Sequence, residues 1–259
     1  MRNIKLTIQY DGTNYHGWQF QPNGVSIQQV IEEAIFSITQ EESILTASGR
    51  TDAGVHALSQ VANFKTYSKL DATKMQKGLN NKLPKDIVIL DAQEVPLDFH
   101  AKISAKKKLY RYDIYNSQVP DAFCFKCTKL IPYFLNVPSM KIASECFSGT
   151  HDFSAFRSSS CEAKTSVRTI YKIDVSQKFF DNSKNNTDKL SFDPCLINIE
   201  VEGNGFLKYM VRNIVGTLIE VGREKIVSED IKKILVSRDR RKAGPTAPPQ
   251  GLFLVKVSY

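Results

Sequence analysis

What this sequence lacks narrows it first. No apolar run approaches the ~20 residues that a membrane-spanning helix needs. The five cysteines are an odd number that completes no disulfide framework. Met1 to Lys5 runs straight into alternating polar and apolar residues, without the apolar stretch of a secretory leader. Together these absences predict a protein of the reducing cytoplasm, with no membrane partner. The four histidines His16, His56, His100 and His151 show no HExxH-type spacing, so no catalytic metal is indicated. Cys124 and Cys127 form a lone CxxC. A structural zinc site needs four ligands, and no second pair exists; the strand–helix context of a redox motif is absent as well. Gly203-Asn204-Gly205 lacks the third glycine of a dinucleotide fingerprint. Nothing in the sequence asks for ATP, NAD, metal or any other cofactor. Acidic residues are also in short supply, 27 against 35 Lys and Arg, for a net charge of +8. That balance favours a polyanionic partner; a basic protein with no such partner is the plainer alternative.

What is present suits a folded enzyme-sized chain. At ~150 residues per domain, 259 residues make one large domain or two small ones. With 42% apolar and 10% aromatic residues, the chain can bury roughly 70–75% of its unfolded surface without a disulfide or metal staple.

Hydrophobic periodicity gives the organisation. Ile4, Leu6, Ile8 and Tyr10 alternate with polar residues as a half-buried strand. Ser26 with Gln29 reads as a capping box, and Ile27, Val30, Ile31, Ala34, Ile35 and Ile38 fall on one helical stripe. Ile44 to Ser48 reads as a short strand and Leu58 to Lys65 as its return. Asp71 opens a second helix with Ala72, Met75 and Leu79 inward, and Ile87 to Leu90 follows as a buried strand. The order β-α-β-β-α-β is that of a ferredoxin-like domain, normally an antiparallel sheet with helices on one face. The second half repeats it. Tyr110, Tyr112 and Ile114 alternate as a strand, Pro138 to Phe147 reads as a helix, and Val167 to Val175 and Cys195 to Val201 read as strands. Between the last two, Asp181 to Asp188 is predicted as a polar hairpin tip. A helix with Met210, Val211, Ile214, Val215, Leu218 and Ile219 on its core stripe comes next. Ser228 caps another helix, and Leu252 to Val257 closes as a strand. The predicted fold is therefore α+β: two ferredoxin-like halves, 1–104 and 105–259, with antiparallel sheets and a cleft between them.

Three segments carry chemistry. Ser48-Gly49-Arg50-Thr51-Asp52-Ala53-Gly54-Val55-His56-Ala57 joins two strands of the first half. Its two glycines let the backbone turn sharply and approach a ligand, and Arg50 and Asp52, two apart in a tight loop, can serve one site. Gly49 and Gly54 have P-loop spacing, but Val55-His56 stands where Lys-Ser/Thr would hold phosphates and Mg²⁺. No second carboxylate matches Asp52 as in an aspartic protease. The structural alternative is a hairpin turn with an exposed ion pair. His100 to Tyr112 carries basic residues interleaved with tyrosines and no acidic one, offering phosphate contacts and stacking faces together; a lysine-guarded strand edge reads equally from the same residues. Arg238, Arg240, Arg241 and Lys242 form a second basic cluster, whose plain reading is a solvated face. Arg212, at the edge of its helix's apolar stripe, either snorkels to solvent or reaches a cleft, where it would hold a neighbouring carboxylate ionised.

Taken together these residues resemble the tRNA pseudouridine synthases of the TruA type, over nearly the whole chain. The resemblance rests on Tyr10-Asp11-Gly12-Thr13 with Gly17-Trp18-Gln19, and on the Ser48 to Ala57 segment. It rests also on Tyr110-Arg111-Tyr112, His151-Asp152-Phe153, Phe206 through Gly216, and Thr246 to Leu252. It implies an isomerase that converts uridine to pseudouridine in the anticodon stem-loop of tRNAs, at positions 38 to 40, without a cofactor and as a homodimer. It implies Asp52 as the catalytic carboxylate and Tyr110 as the ring against the target base. Arg212 would pair with Asp52, Arg50 would help draw the nucleotide out, and Leu252 would line the substrate site. Two other classes stay open on the residues alone: a non-catalytic tRNA-binding module or RNA chaperone, and an N-glycosidase that releases the base.

Overall fold

A computed structural model describes residues 1–180 and 191–259; the polar segment Asp181 to Asp188 lies outside the described residues. In chain order the elements are β1 (Arg2–Tyr10), α1 (Ile27–Thr39), β2 (Thr46–Ala47), β3 (His56–Thr66), α2 (Ala72–Lys82) and β4 (Ile87–Val95). There follow β5 (Lys107–Asn116), β6 (Lys129–Ile131), α3 (Val137–Glu145), β7 (Gly149–Asp152), β8 (Val167–Phe179) and β9 (Cys195–Gly203). Then come α4 (Met210–Gly222), α5 (Asp230–Ser237) and β10 (Leu252–Ser258). The chain is thus a mixed α+β protein. It clusters into two compact units, Met1–Lys108 with Phe253–Tyr259, and Leu109–Leu252.

In the first unit the strands run in the order β4-β1-β3-β10, with β2 beside β3. The alternation read from β1 is real: Ile4, Leu6, Ile8 and Tyr10 are all buried. Antiparallel registers set Leu6 opposite Ala62 of β3 and Ala92 of β4. Helix α1 buries Ile27, Ile31, Ala34 and Ile35, at about 1.5–3 kcal/mol for each large side chain before entropy is charged. Ser26 does accept from the Gln29 N–H, but the capping box is only half made. The Gln29 amide donates to Glu33 Oε1 instead of returning to Ser26. Asp71 caps α2 through the Thr73 N–H, and Met75 and Leu79 are its buried residues.

Three expectations need correction here. The strand predicted from Ile44 shrinks to Thr46–Ala47, and Ile44 is 81% exposed. β4 is two-faced: Ile87 and Ile89 are buried while Val88 and Leu90 meet solvent, as expected at the outer strand of a unit with one face uncovered. The sheets are not purely antiparallel. β10 pairs with β3 in parallel, Phe253 against His56 and Leu254 against Ala57, and β6 pairs in parallel with β5. A parallel pair needs a long crossover, which the connections to β6 and β10 supply.

In the second unit the order is β5-β9-β8-β7, with β6 beside β5. β8 and β9 form a long antiparallel ladder from Ile170–Gly203 to Phe179–Cys195, and Cys195, Ile197, Ile199 and Val201 point inward. α4 is buried on nearly all sides, from Met210 and Val211 through Asn213 to Ile219, the signature of a central helix. α3 is capped by Asn136, which accepts from Ser139 N–H. Ser228 is not the cap of α5: that position is Glu229, and Ser228 contributes only its carbonyl, to Ile231 N–H.

Candidate active site

The Arg50-Thr51-Asp52 turn lies in the first unit between β2 and β3, and residues of the Tyr10 to Gln19 and Ser48 to Ala57 segments build it together. Ser48 enters it buried, its N–H donating to Val61 O (2.7 Å) and its hydroxyl to Gln60 Oε1 (2.6 Å). The same Gln60 donates from Nε2 to Gly49 O (2.9 Å). Lys108 Nζ donates to Ser48 O (2.6 Å). Burial, with repulsion from Lys102, brings the Lys108 ammonium down to about 8, so charge there is expensive.

Past the entry, Thr51 is held from behind. Its hydroxyl shares a buried 2.7 Å hydrogen bond with the Tyr10 hydroxyl, and its carbonyl accepts from Trp18 N–H (3.0 Å). Burial pushes the Tyr10 phenol up to about 12, bonds to Thr51 and Gln60 pulling the other way, so it stays a neutral hydrogen-bonding strut. Gly17 has φ +88, and a Cβ there would stand 2.6 Å from Thr51 O and 3.1 Å from the Asp52 carbonyl carbon; only glycine permits that approach. On the exit side Val55 N–H closes the turn on Asp52 O (3.1 Å), and Gly54 N–H donates to Tyr15 O (3.3 Å). Gly12 N–H donates to His56 Nδ1 (3.1 Å), and His56 stacks on Phe253 at 4.8 Å. Asp52 is half-buried and Arg50 exposed. The two segments that carry the resemblance, Tyr10 to Gln19 and Ser48 to Ala57, therefore fold as one block whose backbone bonds fix where Asp52 stands.

The second unit holds the other candidates. Tyr110, on β5, is buried at 8% exposure, with its ring edge-on to Phe206 at 5.1 Å. Arg212 is half-buried on α4. Its Nε donates to Ala247 O (2.7 Å), and Ala247 N–H returns to Arg212 O (3.0 Å). Its guanidinium lies 4.6 Å over the Tyr209 ring. It is therefore fixed by protein groups on two sides rather than extended into water. Leu252, at 5% exposure, ends the segment that Arg212 grips. Next to it Asn213, fully buried, accepts from Thr246 Oγ1 (2.6 Å) and Arg240 (3.0 Å) and donates to Phe156 O (2.7 Å).

Several of these residues escaped the sequence reading. Lys108 belongs to the basic run, read as phosphate contacts or a lysine-guarded strand edge; its ammonium instead bonds Ser48 O at the entry to the Arg50-Thr51-Asp52 turn. Arg240, read as part of a solvated cluster, donates to Gly244 O (2.8 Å) as well as to Asn213. Gln60 carried no signal beyond being a polar residue at an inward position of an apolar strand. Cys124 and Cys127 are bonded to each other through the backbone: Cys127 N–H donates to Cys124 O (2.9 Å). No group of three or more metal-ligating side chains is present among the described residues, nor any helix long and apolar enough to cross a membrane.

Comparison with known proteins gives the chain's family. The tRNA pseudouridine synthase family model matches residues 6–103 and 143–259. A tRNA pseudouridine synthase A of Acetivibrio thermocellus is 50% identical over 259 residues, covering all of both chains. The same-named protein of a Thermoanaerobacter species is 48% identical, again over both full chains. That of Citrifermentans bemidjiense is 45% identical over this whole chain and 98% of its own. With the matched segments falling in both units and containing Arg50, Asp52, Arg212 and Leu252, though not Tyr110, the chain belongs to the tRNA pseudouridine synthase family.

Proposed function

We propose that this chain is an isomerase that converts uridine to pseudouridine in tRNA, in the anticodon stem-loop at positions 38 to 40, with no cofactor and with Asp52 as the catalytic carboxylate. The observation that carries the reading is the clamped Arg50-Thr51-Asp52 turn. Tyr10, Gln60, Lys108 and Gly17 immobilise the backbone on either side of a half-buried carboxylate, and a preorganised charge is what such chemistry requires.

The reaction breaks the N1–C1′ bond, turns the uracil and joins C5 to C1′. The C5 proton is lost to solvent and N1 gains one, so product and substrate have equal mass. An ionised Asp52 serves it by attacking C1′ or by taking a ribose proton. The target base must leave its stack at a cost of a few kcal/mol. Stacking on Tyr110 offsets about 1–3 kcal/mol of that. Arg50 draws the nucleotide out, Arg212 keeps Asp52 ionised, and Leu252 gives the base an apolar contact. We read each half, 1–104 and 105–259, as ferredoxin-like, supported in the first by the element order β1-α1-β2-β3-α2-β4, and the active form as a cytoplasmic homodimer.

The assay is release of tritium from tRNA labelled at uracil C5. The wild-type protein is expected to release it, and Asp52→Asn to release none. Persistent release by Asp52→Asn would remove Asp52 from its role. Salt-dependent tRNA binding with no release by the wild type would favour the reading that the +8 charge alone supports, a non-catalytic RNA-binding module.

A further inference from the structure

The Tyr209 ring that carries the Arg212 guanidinium also lines a cavity of about 440 Å³ in the second unit. Among the described residues its charged lining is of one sign: Arg157, Arg238 and Arg240, with no carboxylate. Ser158 and Ser159 add hydroxyls to the wall. The three arginines are held in different ways. Arg240 is fixed by Asn213, Thr246 and Gly244. Arg238, at φ +54 past the end of α5, pairs with Asp152 Oδ2 at 3.0 Å. Arg157 follows the buried Phe156, is itself half-buried, and its side chain makes no hydrogen bond or ion pair with the described residues. Asp152 offsets the charge of Arg238, but Arg157 and Arg240 bring like charges to one hollow with no carboxylate in its lining, and the unpaired Arg157 is partly withdrawn from water. An anion in the hollow relieves both costs. A guanidinium fork matches two oxygens of a phosphate, and serine hydroxyls are suited to the others.

We propose that this cavity is a subsite for a backbone phosphodiester of RNA, next to Arg212 across the Tyr209 ring, with Arg157 as its principal donor. The proposal rests on the tRNA substrate argued above and adds where the strand outside the reacting nucleotide is gripped. The adjacency has a use: a phosphate seated here fixes the register of the strand relative to Tyr209 and Arg212.

The test is tRNA affinity as a function of salt, from about 50 to 200 mM, for the wild type, Arg157→Ala and Arg157→Lys. One lost phosphate contact reduces the slope of log K against log salt by about 1. Arg157→Ala is expected to show that reduction and to bind about 3- to 10-fold more weakly at the lowest salt. Arg157→Lys is expected to keep the slope while losing part of the affinity, because an ammonium retains the charge without the fork. If Arg157→Ala fails to fold, as judged by thermal melting, Arg157→Gln replaces it. Wild-type affinity and slope in the neutral variants would overturn the subsite even while pseudouridine is formed. A reduced slope in a protein whose wild type makes no pseudouridine would retain the subsite and reject the isomerase. Competition by inorganic phosphate at matched ionic strength, with tRNA affinity unmoved by the substitutions, would assign the cavity to a free anion and overturn the RNA reading.

Discussion

At the scale of single residues, the turn that carries Asp52 is held by hydroxyls, an amide and backbone carbonyls. Tyr10 and Thr51 bond to each other where neither reaches water. Removing the Thr51 hydroxyl leaves Tyr10 its bond to Gln60 and takes away one buried hydrogen bond, at a cost of about 0.5–1.5 kcal/mol. Thr51→Val, nearly the same shape, is therefore expected to lower stability by that amount in urea titrations. Turnover should fall further than substrate affinity does, because the Tyr10 strut sets the carboxylate's position rather than touching RNA. Unchanged turnover and affinity in a destabilised Thr51→Val protein would show Thr51 to be a core residue only. The candidate residues themselves were legible in the sequence because Arg50 and Asp52 sit between two glycines in a tight turn. The residues that hold them were not. Gln60 and Lys108 do their work through the backbone carbonyls of Gly49 and Ser48, 11 and 60 residues away, and no local spacing announces such a pairing.

At the scale of elements, the strands and helices with clean periodicity were readable, and the short or two-faced ones were not. β1, α1 and β9 alternate or stripe strongly and match expectation. β6 and β7, three and four residues long, are too brief to show a period. The α5 start was misplaced by one residue because a serine is the commoner cap and Glu229 caps without a side-chain bond. The parallel partner of β3 was invisible because register with a distant strand leaves no mark in either segment. β5 adds a functional twist to this level: its first residues carry Lys108 inward to the loop between β2 and β3. The Lys108 pKa falls from 10.5 in an open chain to about 8 when folded. The unfolded chain then binds more protons between those values, so this group makes stability rise with pH from about 8 toward 10.5, and its contribution is lost as pH falls through 8. Below about pH 9.5, before the tyrosines begin to titrate in the unfolded chain and oppose it, the stability of the wild type is expected to climb relative to Lys108→Met. Chemical denaturation across pH 7 to 9.5 reads the difference directly, and parallel curves would contradict the burial argument.

At the scale of the whole molecule, the most consequential pairing is that of β10 with β3. Phe253, Leu254 and Val257 are all buried, and Phe253 stacks on His56 near the end of the Ser48 to Ala57 segment. At about 1.5–3 kcal/mol per side chain, their removal costs about 5–9 kcal/mol, comparable to the entire stability of an ordinary domain, about 5–15 kcal/mol. A chain truncated after Leu252 is expected to lose the native near-ultraviolet signal of the first unit; a truncated protein with unchanged spectrum and melting would show β10 to be ornamental. The same pairing orders events during synthesis. The ribosome makes Asp52 early, yet the strand that buttresses its loop emerges roughly 200 residues later, a delay of about 10–40 s at ordinary elongation rates. During that interval β3 lacks its partner at His56 and Ala57, so the turn that carries Asp52 stands without this buttress until Phe253 and Leu254 have emerged.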